Sequence, residues 1–232
     1  MKLFCIFVSN IFQMHSFTEE NYLKAIYKLI EQEGDVVTTN AIAEKLNTKA
    51  ASVTDMLKKL ADKKLINYQK YQGVTLSSKG EKVALNIIRK HRLWEMFLVE
   101  KLDFKWDEVH DVAEQLEHIN SDKLVEQIDK FLSYPKVDPH GDPIPDAKGK
   151  LSLPKSYLLT KFNKNDTCIM TGVVDHSASF LQYLDKSGIA LGNEIKIKDI
   201  IVFDRSLQIT INKGRTIFIS NDVAKNILVI TK

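Results

Sequence analysis

The sequence predicts a mainly helical N-terminal part followed by a small all-β barrel. Three observations carry this. Apolar residues recur at helical spacing from Tyr22 to Leu132. All five prolines then fall between Pro135 and Pro154, a density that no helix or central strand tolerates. Beyond them, short β-rich runs separated by turns replace the helical period.

The elements follow in order. Thr18-Glu19-Glu20 opens a first helix whose face carries Tyr22, Ile26, Leu29 and Ile30, and Gly34 ends it. Thr39 is the expected cap of a short helix, Asn40 to Leu46. A third helix runs from Ala50 to Lys63, with Val53, Met56, Leu57 and Leu60 facing inward. The period then changes, and Leu65–Tyr71 and Val74–Leu76 read as two strands around a turn at Gln72-Gly73. Ser78 is the expected cap of a long helix to Val99; further helices cover Asp107–Ile119 and Asp122–Leu132. After the prolines, Cys168–Val174 is strand-like and Ala178–Lys186 a helix ended by Gly188. Residues 194–198, 201–203, 207–211, 216–219 and 227–230 are the remaining strand candidates. The expected division is an extra segment 1–15, a first domain of helices and a strand pair 16–85, a helical domain 86–135, a linker 136–156 and a barrel 157–232.

The bulk numbers, 44% hydrophobic and 27% charged residues in 232, are those of a globular chain with a sizeable core. Cys5 and Cys168 cannot build a disulfide framework, which points to a reducing, cytoplasmic compartment. No apolar run reaches the ~20 residues that span a bilayer, so no membrane partner is expected. The opening MKLFCIFVSNIFQ has two readings, a clipped signal-peptide core or a segment upstream of a true start near Met14. No small-residue cleavage site follows it, which favours the second.

Charge is unevenly placed. Thr38–Lys82 holds nine lysines against four acids, and Asp103–Asp129 nine acids against two lysines. A phosphate-facing surface beside a cation-facing one has this signature, and so do two solvated helix faces of opposite sign. Three helices followed by two strands is the order of a winged helix-turn-helix, whose third helix enters the major groove of double-stranded DNA. The small, polar start of that helix (Thr48, Lys49, Ala51, Ser52 and Thr54) allows close approach to base edges. Thr39, Lys58 and Lys59, with Lys70 and Tyr71 on the wing, complete the candidate DNA-facing set. Winged helices also serve as protein-interaction modules, and Ser or Thr at a helix start is often only a cap.

The chain has six histidines, three of them beside carboxylates on predicted helices. His91 and Glu95 are four apart; His110, Glu114, Glu117 and His118 stand at i, i+4, i+7 and i+8. Each spacing gathers its set on one helical face. Imidazoles and carboxylates from two helices suit a borderline divalent cation, although any one of these histidines taken singly is an ordinary surface or hydrogen-bonded residue.

At this point the sequence resembles the DtxR/MntR family of iron- and manganese-dependent repressors. The residues that carry the resemblance are Glu20–Tyr27, Ala51–Thr54, Leu76–Gly80, Arg89–Leu93, Val109–Asp111, Glu117-His118 and Asp138–Pro145. It covers residues 16–146 strongly, and the C-terminal part resembles, more weakly, the SH3-like (FeoA-type) barrel of longer members. It implies a homodimer whose middle helices form the interface and hold two metal centres. One would use His91, Glu95 and His110, with His176 from the barrel; the other Glu114, Glu117, His118 and Asn21. Iron-type members carry Cys and Met where this chain has Glu114 and Asn21; manganese-type members usually carry Asp at the latter and a Glu where this chain has Lys24. The all-oxygen-and-nitrogen set points to Mn2+ or Fe2+, with Co2+, Ni2+ or Zn2+ as alternatives in vitro. Two rival classes stand beside this reading. One is a winged-helix regulator sensing a small organic ligand, its His/Glu cluster merely structural. The other is a metal-dependent hydrolase, against which there is no nucleophile motif, phosphate loop or H-E-x-x-H.

Overall fold

The computed structural model describes residues 15–34, 36–69, 72–152 and 155–232. They form two compact units, Met1–Ala84 and Leu85–Lys232.

In the first unit, α1 (Phe17–Glu33) starts with a capping box: Ser16 Oγ accepts from Glu19 N–H while the Glu19 carboxylate accepts from Ser16 N–H. α2 (Thr39–Lys45) is capped by Thr38 rather than by Thr39, its hydroxyl oxygen accepting from Ala41 N–H at 3.1 Å. α3 (Ala50–Asp62) buries Val53, Leu57 and Leu60. β1 (Ile66–Gln69) and β2 (Gly73–Leu76) form the antiparallel wing, Ile66 opposite Leu76; Lys70 and Tyr71 lie outside the described residues. Leu23, Ile26, Ile42 and Val74 join the α3 residues in one apolar core. α4 (Ser78–Leu102) begins one residue beyond its cap, because Ser77 Oγ, not Ser78, accepts from Gly80 N–H. A Cβ on Gly80 would sit 1.9 Å from the Leu65 carbonyl oxygen, so only glycine lets the helix start against the wing.

α4 continues into the second unit. α5 (His110–Leu116) is shorter than the helix expected over Asp107–Ile119. Its start is displaced because Trp106 packs against the core of the β domain and Asp107 accepts a hydrogen bond from Gln182 Nε2 at 2.7 Å. Glu117 and His118 follow the helix in a turn rather than continuing its face. α6 (Asp122–Phe131) is capped by Ser121.

Among its described residues the proline-rich stretch has neither helix nor extended strand, as its prolines require, yet it is firmly held. Arg89 of α4 donates to Pro145 O at 2.7 Å and to Asp129 at 2.6 Å. Arg92 donates to Pro143 O and, at 2.9 Å, to Asp142. Two charge-assisted forks one helical turn apart thus turn an expected linker into packed structure.

The β domain contains β3 (Tyr157–Leu158), a single 3-10 turn, β4 (Thr167–Val173), α7 (Ala178–Ser187), β5 (Glu194–Ile200), β6 (Leu207–Ile211), β7 (Thr216–Ile219), α8 (Asn221–Ala224) and β8 (Ile227–Thr231). The strands form one antiparallel sheet in the order β3-β8-β4-β5-β6-β7, an SH3-like arrangement. Leu207, Ile209 and Ile211 point inward at period two, meeting Cys168, Met170, Leu181 and Val229 in the core. The strand expected at Ile201–Phe203 is instead the turn joining β5 to β6: Arg205 N–H bonds back to Ile201 O, leaving Val202 and Phe203 exposed. α8, which the sequence reading did not foresee, is capped by Ser220.

Candidate metal centre

α4 is the spine of the site. Four-residue spacing puts His91 and Glu95 on one face, and both are buried, 5% and 2% exposed. His91 Nε2 lies 3.0 Å from Glu95 Oε1. His110, at the start of α5, places its Nδ1 3.4 Å from the same oxygen, and the two imidazoles meet edge to face with centroids 5.0 Å apart. These three side chains bring one donor atom each within 4.8 Å of one another.

Glu95 has a second set of neighbours that the sequence reading missed. Its Oε2 lies 3.8 Å from His140 Nδ1, and that nitrogen is 3.9 Å from Asp138 Oδ1. Glu95, Asp138 and His140 form a second group of converging donors, all buried. One buried carboxylate therefore presents an oxygen to each group. His140 sits between prolines, where helical spacing carries no information. The available signal was the Asp-x-His spacing of Asp138 and His140.

The turn bearing Asp138 and His140 is built for this placement. Asp138 Oδ1 accepts from the backbone N–H groups of His140 and Asp142 at 2.8 and 3.0 Å. Gly141 has φ +90°, and a Cβ there would stand 2.0 Å from the Thr171 carbonyl oxygen of β4. Val173 N–H donates to His140 O at 3.0 Å. On the ring, His140 Nε2 donates to Trp106 O at 2.7 Å, and the imidazole stacks with both Trp106 and His176. With Nε2 so engaged, only Nδ1 faces the carboxylates, and this buried nitrogen makes no hydrogen bond.

Burial and neighbouring charges compete across this cluster. Burial alone would raise the Glu95 carboxyl, but the surrounding imidazoles of His110, His140 and His91 outweigh it and hold the group well below the usual range. Burial opposes a charge on His140, yet its interactions with Glu95 prevail and lift it to about 9. Burial, with the nearby charges of Glu95 and Asp142, pushes Asp138 up to about 7. A divalent cation fits this donor set: imidazole nitrogens, carboxylate oxygens and a buried Nδ1 aimed into the group.

The remaining expected ligands are less gathered. Glu117 is wholly buried, with Oε2 2.6 Å from His91 Nδ1 and Oε1 3.8 Å from His118 Nε2. Glu114 is exposed, 3.6 Å from His110 Nε2. Among the described residues Glu114, Glu117 and His118 form no three-donor group, and Asn21 is exposed on α1 in the first unit. His176 packs its ring on His140, 4.7 Å between centroids, and belongs to neither donor group.

In the first unit, Thr48, Lys49, Ala51, Ser52 and Lys58 are exposed around α3, as a groove-facing helix requires; Thr39 and Thr54 are half-buried. Two of these side chains are already engaged. The Thr54 hydroxyl donates to Ala50 O, and Lys58 pairs with Asp55 at 3.2 Å. Lys59, itself exposed, reaches Glu19 at 3.1 Å, alongside Lys63 at 2.7 Å, and so links α3 to α1.

Comparison with known proteins agrees with this anatomy. Residues 14–74 match the N-terminal DNA binding domain of iron dependent repressors, 77–146 their metal binding and dimerisation domain, and 157–231 the FeoA domain. The diphtheria toxin repressor of Corynebacterium jeikeium is 35% identical over 128 residues, 55% of this chain and 53% of that protein, so the match spans about half its length. The HTH-type transcriptional regulator MntR of Oceanobacillus iheyensis is 36% identical over 51% of this chain and 80% of its own. A solved manganese-dependent transcriptional repressor in complex with manganese superposes with a TM-score of 0.83 at 35% identity, covering 92% of this chain and all of that one. The chain belongs to the iron dependent repressor family, in its long form with a C-terminal FeoA domain.

Proposed function

We propose that this protein is a cytoplasmic, homodimeric transcriptional repressor that binds operator DNA when loaded with Mn2+ or Fe2+ and controls metal-homeostasis genes. One observation carries the reading most: Glu95 gathers two imidazole–carboxylate groups, in a chain that also holds a winged helix-turn-helix. A bound divalent cation supplies the charge that lets Glu95 and Asp138 sit together beside neutral imidazoles. The protein's part is to hold the donors. α4 carries His91 and Glu95, α5 brings His110, and the proline-rich turn brings Asp138 and His140. The free energy of gathering donors from separate segments becomes ordering of those segments. In a dimer, DNA recognition then requires two α3 helices about one helical turn, ~34 Å, apart. Asn21, Glu114, Glu117 and His118 remain proposed ligands of a second centre on the strength of the resemblance.

The test is a gel-shift with fragments upstream of metal-transporter genes, comparing chelated protein with protein given Mn2+ or anaerobic Fe2+. A shift that requires metal supports the reading. A shift indifferent to metal keeps the DNA binding and removes the switch.

A further inference from the structure

The ring of His91 is held by carboxylates on both sides. Its Nε2 lies 3.0 Å from Glu95 Oε1, while its Nδ1 is 2.6 Å from Glu117 Oε2, the shorter contact of the two. Glu117 itself is wholly buried, just past the end of α5. The resemblance makes this residue a ligand of another centre, and spacing along the chain gives it no part in the one at His91. We propose that Glu117 is a positioning residue of the His91–Glu95–His110 centre: its carboxylate keeps the proton of His91 on Nδ1, so that the Nε2 lone pair faces the metal. This rests on reading that group as a metal centre.

Three physical points support it. A buried carboxylate must be paired, and a contact of this length to an imidazole N–H is a charge-assisted hydrogen bond. An imidazole has one proton to place when neutral, so a carboxylate fixed at Nδ1 decides the tautomer and leaves Nε2 as the acceptor. Metal-bound histidines characteristically donate their other N–H to such a group, which orients the ring and raises its basicity. Glu117 also stands next to His118, 3.8 Å from its Nε2. If it ligates a second ion through Oε1, the two centres share one carboxylate, and filling one stiffens the other.

The experiment titrates the full-length protein with Co2+ and with Mn2+ alone, following the Co2+ absorption spectrum and the Mn2+ electron paramagnetic resonance signal. Wild type, His91→Ala, Glu117→Ala and Glu117→Gln are compared, with circular dichroism as the folding control. The centre abolished by His91→Ala should lose about 10–100-fold in affinity in Glu117→Ala, although no donor atom to it is removed. Glu117→Gln should recover most of this loss, since its amide oxygen still accepts from Nδ1–H. If Glu117→Ala removes one bound ion and leaves the His91 centre at wild-type affinity, Glu117 is only a ligand elsewhere and the proposal falls. If wild type binds neither ion, the metal-centre reading falls and takes this proposal with it. Should Glu117→Ala fail to fold, nitrogen-15 NMR of the His91 ring in Zn2+-loaded wild type decides. A proton on Nδ1 with zinc at Nε2 supports the proposal; the opposite tautomer overturns it.

Discussion

At the scale of single residues, Glu95 is the side chain on which most depends. Its two oxygens serve different groups, so Glu95→Gln should weaken both, by more than the ~10–100-fold that loss of an outer partner costs. His140→Ala, which touches only the second group, should spare the first. Calorimetric titration with Mn2+ separates these, and unchanged stoichiometry and affinity in Glu95→Gln would contradict the geometry. Glu19 is the corresponding residue of the first unit. Burial would raise its carboxyl, but hydrogen bonds from Lys63, the Ser16 backbone and Lys59 hold it down at about 2. A depressed folded value means stability present above about pH 4.5 and lost as the pH falls toward 2. At neutral pH this contribution is up to about 3 kcal/mol. Glu19→Gln should therefore lower the urea midpoint at pH 7 and flatten the acid limb between pH 5 and 2; an unaltered acid limb would show that the Lys63 pair is not what tunes stability. His91, Glu95 and His110 were legible in the sequence because helical period put them together. Asp138 and His140 were not, since their placement depends on contacts between segments distant along the chain.

At the scale of elements, the turn 138–142 and the loop around Trp106 decide where the second group sits. Gly141 combines a positive φ with a backbone approach that excludes a Cβ. Gly141→Ala should cost about 1–3 kcal/mol and loosen Mn2+ binding at His140 while leaving His91 and His110 in place. Wild-type melting and Mn2+ binding in that variant would refute the packing argument. Trp106 is the second control: its indole N–H donates to Asp185 at 3.1 Å, its carbonyl accepts from His140 and its ring covers that imidazole. Trp106→Ala, at a half-buried position, should destabilise the second unit by about 2 kcal/mol and speed hydrogen exchange in α7, and exchange at the wild-type rate would count against a clasp. The same loop explains why α5 is shorter than its pattern foretold. Local propensity favours helix from Asp107, but Trp106 and Asp107 make tertiary contacts with the β domain that a continued helix would forfeit. Caps slipped by one residue at α2 and α4 for a smaller reason, since adjacent Thr38-Thr39 and Ser77-Ser78 offer equivalent hydroxyls and only backbone geometry chooses.

At the scale of the whole molecule, the order of helices, wing, helices, prolines and strands was readable because each region keeps one hydrophobic period. What the pattern concealed was the state of the proline-rich stretch. Proline density excluded regular structure there, but it carried no sign that Arg89 and Arg92 would grip it, nor that it would deliver two donors. The segment that reads as a spacer is thus part of the candidate site.

On the proposed function, metal held around Glu95 governs DNA binding. The most direct test is fluorescence anisotropy of labelled promoter fragments with wild type and Glu95→Gln, at one fixed salt concentration because phosphate contacts make affinity salt-dependent. Each is titrated first with chelator and then with Mn2+ or anaerobic Fe2+. Wild type is expected to bind tightly only with metal, and Glu95→Gln not at all at the same metal concentration. Equal binding by both proteins, with or without metal, would contradict it.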